Sequence, residues 1–354
     1  MRLTPRTSSL AVTAALLLTP PVAANDSMAE LGFGGIVLVE TDAITMQRED
    51  LALSPSEVRV RYEMRNDTGR PVVARVAFPI PEVPHTTPGG MTTGTGSASG
   101  PYNIALRPPS DPNFLRFRVW SNGQELKPDV DIRATLPNGR DITGALREIG
   151  GLPLVLQPGL FTDPGDKPPP AAVVEKLQAI DAFERLDATA WRLPWTTRIT
   201  FHWLQTFAPG VTVIEHSYRP IIGARFIMPE ADGRITGSGG GDSKRDFCID
   251  PPTERSIREL QVQKRRATPD DSLLNGYTLA YILQTARNWR GPIGTFHLML
   301  TGGAIEGEFF GKRETRIVTL CTDLPLKRTG PLHFEATVRD YVPKDDLRAL
   351  FITE

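Results

Sequence analysis

Val58-Arg59-Val60-Arg61-Tyr62-Glu63-Met64-Arg65 decides the fold class. Apolar side chains alternate with arginine and glutamate, the period of a strand with one buried face and one solvated face. Asn66-Asp67-Thr68-Gly69 follows with turn chemistry. Val72-Val73-Ala74-Arg75-Val76-Ala77-Phe78 then reads as the returning arm of a hairpin, ended by Pro79 and Pro81.

Outward from this pair the same signals recur. Upstream, Ile36–Val39 is a short β-branched run after Gly34-Gly35, and Ile44–Met46 and Leu51–Leu53 read as two short segments. Downstream, Phe114–Trp120 leads to the Asn-Gly turn Ser121-Asn122-Gly123-Gln124, with Leu126–Ala134 as its expected partner strand. Thr197–Phe207 is a long strand, Pro209-Gly210 a turn, and Val211–Tyr218 the expected return, with Ile214, His216 and Tyr218 on one face. Tyr277–Leu283, Phe296–Leu300, Arg316–Cys321 and Phe334–Val338 complete the set.

Three helices interrupt the pattern. Asp141 caps a short one carrying Ile142, Leu146 and Ile149. A second follows Pro168-Pro169-Pro170 with Val174, Leu177, Phe183 and Leu186 at helical spacing, and a third runs from a Thr253 cap to Arg265. The expected fold is therefore mainly β, with β-sandwich-like antiparallel sheets and a few inserted short helices. Residues 82–112 are rich in Pro, Gly, Ser and Thr and read as a flexible loop, as does Gly237–Gly241. The rest reads as one unit, 25–354, divisible into two β-rich subdomains at 25–235 and 236–354.

The N-terminus addresses the chain. Arg2 and Arg6 precede the uncharged run Leu10–Leu18, Pro20-Pro21 ends it, and Val22-Ala23-Ala24 places small residues before Asn25. This is the order of a cleavable signal peptide over residues 1–24, and implies a periplasmic or secreted protein. The apolar run is about half the roughly 20 residues that span a bilayer; an uncleaved anchor is the alternative reading. No later segment has the length and apolarity of a membrane span. With 40 basic and 41 acidic residues, nothing points to a nucleic-acid partner. Cys248 and Cys321 are the two cysteines. In an oxidising compartment the pair reads as a disulfide closing a long loop, worth ~4 kcal/mol in the chain-entropy account. Two buried free thiols are the alternative.

Several residues are candidates for chemistry. Of five histidines, none forms a metal motif. His202 and His216 lie on strands expected to be neighbours across Pro209-Gly210, which makes them a candidate site for an unrecognised envelope enzyme; the competing reading is two ring side chains within a sheet. Ser97, Ser99 and Ser238 sit in Gly-rich loops without a nucleophile elbow, and the glycines fit no nucleotide-binding spacing. Trp191 and Trp195, bracketing Arg192, together with Trp203 and Arg198, are candidates for a surface recognising glycan or an envelope protein; an ordinary sandwich core is the competing reading. Asn288-Trp289-Arg290-Gly291-Pro292 reads as a structural turn. No cofactor, metal site or catalytic constellation is expected.

As a set, certain segments are familiar. They are Asn25–Gly32, Ile44-Thr45-Met46 with Glu49-Asp50-Leu51, Val76–Pro79 with Pro81, His216-Ser217-Tyr218-Arg219-Pro220, Asn288–Gly294, Thr329–Glu335 and Pro343–Leu350. They resemble a bacterial family known as domain of unknown function 4424. The resemblance covers nearly the whole mature chain and implies an exported bacterial protein. It brings no established catalytic residues, and within its motifs Arg219 joins His202 and His216 as a candidate binding residue. The expectation is a non-enzymatic binding or scaffolding protein of the cell envelope.

Overall fold

The computed structural model describes residues 27–32, 35–83, 113–150, 170–186, 191–237, 242–269, 273–307 and 311–354. The leader (1–24), most of the 82–112 loop, Ser97, Ser99, Ser238 and most of the 237–241 loop lie outside the described residues.

The strands begin with β1 (Ser27–Gly32), β2 (Gly35–Val39), β3 (Ile44–Leu53), β4 (Val58–Asn66), β5 (Val72–Val83), β6 (Arg118–Ser121), β7 (Gln124–Leu126) and β8 (Asp129–Thr135). Helices α1 (Thr143–Gly150) and α2 (Ala171–Ala179) follow, then β9 (Glu184–Arg185), β10 (Trp191–Arg192), β11 (Thr196–Phe207), β12 (Gly210–Tyr218), β13 (Gly223–Pro229) and β14 (Ile235–Gly237). Next come α3 (Ser243–Asp246), α4 (Pro251–Ala267), β15 (Leu274–Tyr281), β16 (Ile293–Thr301), β17 (Ala304–Gly307) and β18 (Gly311–Glu314). The chain closes with β19 (Ile317–Cys321), β20 (Lys327–Gly330), β21 (His333–Tyr341) and β22 (Leu347–Thr353).

Two sheets face each other. One has the order β2-β1-β5-β11-β8, the other β20-β21-β16-β3-β4-β12-β6-β7. Their inner faces meet in a ring cluster: Phe117 stacks on Phe201 at 4.4 Å, and Phe78 lies 4.4 Å from His216 and 5.3 Å from Tyr218. Such rings bury large apolar areas and gain further from offset contact. A third sheet, β14-β13-β15-β22-β19, packs on both faces. Tyr277, Leu279, Ala349 and Phe351 join the main core, while Leu274, Leu350 and Ile352 pack with Ile257 and Leu260 of α4. That two-sided burial explains why β22 is an almost unbroken apolar run.

The alternation at 58–65 holds: Val58, Val60, Tyr62 and Met64 are all buried. The partners differ from those expected. β4 pairs with β3 and β12, whereas β5 pairs with β1 and β11, so the stretch 66–71 arches from one sheet to the other instead of closing a hairpin. The 208–209 connection does the same between β11 and β12. The expected strand Leu126–Ala134 is split, β7 pairing with β6 and β8 crossing to pair with β11. Periodicity specifies which face of a strand is buried; it does not specify which strand lies beside it.

Other differences are local. The two short segments at 44–53 form one strand, β3, with a bulge between Met46 and Arg48. The bulge switches the inward face from Ile44 and Met46 to Glu49, Leu51 and Leu53, which turns Arg48, Asp50 and Ala52 outward. β3 also pairs in parallel with β16, the exception in an otherwise antiparallel sheet. At Gly294, beside the bulge, a Cβ would sit 2.7 Å from the Gln47 carbonyl oxygen. α2 stops at Ala179, short of Phe183 and Leu186, where Asp181 adopts φ +57°. The α4 cap is Asp250, whose side chain accepts from the Thr253 N–H at 2.8 Å; the expected cap residue Thr253 is itself in the first turn. Cys248 and Cys321 form the disulfide, pinning the chain before α4 to the end of β19.

Asn66 holds both arches at one end of the sandwich. Its amide nitrogen donates to the carbonyls of Arg70 and Phe207, each at 2.8 Å, and its oxygen accepts from the Thr68 N–H and hydroxyl. The side chain is buried, so losing it strands the Phe207 carbonyl away from water. Asn66→Ala is expected to lower unfolding free energy by about 2–3 kcal/mol, read by urea denaturation. A loss below about 0.5 kcal/mol, the range of ordinary surface substitutions, would contradict this role.

Candidate functional site

The outer face of the eight-stranded sheet carries the polar half of the alternation. Register lines its side chains into rows across the strands. One row runs His297, Asp50, Arg61, Glu215, Trp120, Glu125 over β16, β3, β4, β12, β6 and β7. The next runs Met299, Ala52, Arg59, Ser217, Arg118. Between them lies a groove of about 570 Å³, floored by β4, β12 and β6.

Its electrostatics are set by ion pairs along and across the strands. Asp50 accepts from Arg48 at 2.6 and 2.8 Å and lies 3.8 Å from Arg61 and 3.4 Å from the Nδ1 of His297. Burial raises the Asp50 pKa, but the hydrogen bond and charge of Arg48, followed by His297 and Arg61, outweigh it and hold the carboxyl below its ordinary value. Arg61 also donates to Glu63 at 2.8 Å. Arg118 grips Glu125 with two N–H donors at 2.7 and 2.9 Å and lies 4.7 Å above the Trp120 ring. Arg59 uses its Nε on Glu57 at 2.8 Å. Glu215, half-buried between Arg61 and Trp120 in register, forms no ion pair among the described residues.

The residues singled out from sequence sit elsewhere. Trp191, Trp195 and Trp203 are 2%, 0% and 3% exposed and belong to the main core. Trp191 stacks on Phe183 at 5.6 Å, and the Trp203 indole N–H donates to Gln205 at 3.4 Å. Arg219 is half-buried and its backbone N–H donates to the Leu115 carbonyl, fixing the approach to β6. His202 and His216 are not neighbours, because β11 and β12 lie in different sheets. His202 projects from the outer face of its sheet, where Nδ1 accepts from Arg75 at 2.9 Å; burial and then the Arg75 charge lower its pKa. His216 lies in the core between the sheets, among the rings of Phe78, Phe117, Tyr62 and Tyr218. Its strand floors the groove, with the imidazole on the core side. Among the described residues, no three or more His, Cys, Asp or Glu side chains are grouped to hold a metal ion.

Trp120, Arg118, Arg59, Glu215 and Ser217 are legible in the sequence only as the outward-facing members of strand alternations. The signal was present in Arg59-Val60-Arg61 and Arg116-Phe117-Arg118-Val119-Trp120. What brings them together is register between strands more than 50 residues apart.

Fold and groove define a class: a mainly β protein with two facing sheets and, on the outer face of the larger one, a ligand-sized recess lined by charged and apolar side chains. The chain belongs to the family described as domain of unknown function (DUF4424), whose family model matches residues 24–350. No curated protein matches it in sequence. Among solved structures, a Legionella pneumophila protein described provisionally as nutrient binding is 13% identical with a TM-score of 0.40, over 93% of this chain and 70% of its own. The M1 zinc metallopeptidase of Deinococcus radiodurans is 6% identical with a TM-score of 0.24, over 89% of this chain and 43% of its own length.

Burial lowers the His216 pKa to about 3, against 6.5 for the free ring. Between those values the unfolded chain binds a proton that the folded chain does not, so stability is full above 6.5 and falls as pH drops toward 3. The slope contributed is at most about 1.4 kcal/mol per pH unit. His216→Phe, which keeps a ring among Phe78 and Phe117, is expected to flatten the loss of stability between pH 6.5 and 4.5 in urea denaturation. An unchanged slope would show that His216 is protonated in the folded state.

Proposed function

We propose that this protein is a non-enzymatic binding protein of the bacterial envelope, exported by residues 1–24, which holds its ligand in the groove on the outer face of the eight-stranded sheet. The observation that carries the reading is the groove itself. Its volume of about 570 Å³ suits a small ligand, and guanidinium, carboxylate, hydroxyl and indole groups converge on it from neighbouring strands. These groups are held on paired strands, and the positions of Arg118 and Asp50 are further fixed by hydrogen-bonded partners, an arrangement that lowers the entropy cost of binding. His202 and His216, the pair on which an enzyme reading rests, are held apart on different sheets, His202 on an outer face and His216 in the core between the sheets. Export is supported by the order of Arg2, Arg6, the apolar run and Ala24, by a family match that starts at residue 24, and by the Cys248–Cys321 disulfide, which persists in oxidising compartments.

The mature protein recovered from the host envelope is expected to begin at Asn25 by N-terminal sequencing. An intact leader in the envelope fraction would contradict cleavage. Incubated with the low-molecular-weight fraction of an envelope extract, it is expected to carry a small molecule in native mass spectrometry, lost in Trp120→Ala. Equal native and denatured masses, or retention by Trp120→Ala, would overturn the groove as the binding site.

A further inference from the structure

The lining of the groove is electrically balanced but not uniform. Three guanidinium groups (Arg59, Arg61, Arg118) face three carboxylates (Asp50, Glu57, Glu215). That balance disfavours a polyanion or a polycation, either of which would meet as many like charges as opposite ones. The two ends of the recess differ in which groups still have capacity.

In one row, Ser217 lies in register between Arg59 and Arg118. Arg59 spends one of its donors on Glu57 and Arg118 spends two on Glu125, so both keep N–H groups for another acceptor. The Ser217 hydroxyl between them is a further donor. This is a seat for a carboxylate. In the adjacent row, Glu215 lies in register between Arg61 and Trp120. Arg61 engages Glu63 and, at 3.8 Å, Asp50 through Nη1 and does not come within ion-pair distance of Glu215, so Glu215 is the lining carboxylate without an ion pair among the described residues. A carboxylate beside an indole is a seat for an ammonium group, drawn by charge and by the ring. One face of Trp120 is already covered by Arg118, which leaves a single face of the ring for a ligand.

The two seats stand two residues apart along β12, a spacing of about 6.7 Å. An extended chain spans at most about 3.3–3.6 Å per residue, so two residues match the distance between the seats. Resting on the groove as the binding site, we propose that its ligand is a short peptide of dipeptide length with both termini free, its amino group on Glu215 beside Trp120 and its carboxylate on Ser217 between Arg59 and Arg118.

The test is isothermal titration calorimetry of the mature protein with dialanine, N-acetyl-dialanine, dialanine amide and a neutral disaccharide. Dialanine is expected to bind, and blocking either terminus to weaken binding by roughly tenfold or more, the loss of one charge-assisted hydrogen bond. Glu215→Gln is expected to bring the free and N-acetylated forms to similar affinity. Ser217→Ala combined with Arg59→Gln is expected to do the same for the free and amidated forms. Equal binding of blocked and free dialanine overturns the zwitterion. Disaccharide binding that is lost in Trp120→Ala, without dialanine binding, also overturns it and leaves the groove standing. Selective dialanine binding that is unchanged in both sets of variants overturns the groove instead. No binding of any of the four probes overturns the peptide assignment.

Discussion

Asn66 ends β4 at the point where the chain must leave one sheet for the other, and its carboxamide is used on both sides. Two carbonyls accept from its nitrogen, one from its own arch and one from the end of β11, where the second arch begins. Close by, the Asn288 carbonyl accepts from Thr41, the Ile44 carbonyl accepts from Arg290, and Trp289 meets Phe207 edge to face at 6.0 Å. One end of the sandwich is thereby closed by backbone and amide hydrogen bonds buried against rings. A buried carbonyl without a donor is costly, so this geometry tolerates few substitutes.

The arches have a consequence for function. Because β4 leaves the larger sheet by one arch and β12 enters it by the other, β12 pairs with β4 and β6, both distant in sequence, and their polar residues share one continuous outer face. Register then places side chains from six strands in single rows. The bulge in β3 is part of this arrangement, since without the switch in parity Asp50 would face the core and Glu49 the rows. Charge pairs along and across the strands hold most of these groups to one another, and members with remaining capacity, among them Glu215, Ser217, Arg59 and Arg118, border the recess.

Much of the strand inventory was readable from the chain, because period-two alternation at 58–65 and 211–218 and the Asn-Gly turn at 122–123 are local properties. The mainly β fold and the cysteine pair follow from such signals. Strand partnership does not, and the hairpins expected at 66–71 and 208–209 are arches for that reason. The tryptophans drew attention by their size, yet size is also what places Trp191, Trp195 and Trp203 in the core. Trp120, with Arg118 lying over its ring, looked like one more strand residue until register set it beside Glu215.

A crystal structure of the protein grown with dialanine would locate the ligand outright. The peptide is expected over β12 between β4 and β6, its amino group within hydrogen-bond distance of Glu215 and its carboxylate on Ser217, flanked by Arg59 and Arg118. A peptide bound elsewhere, with this groove empty, would contradict it.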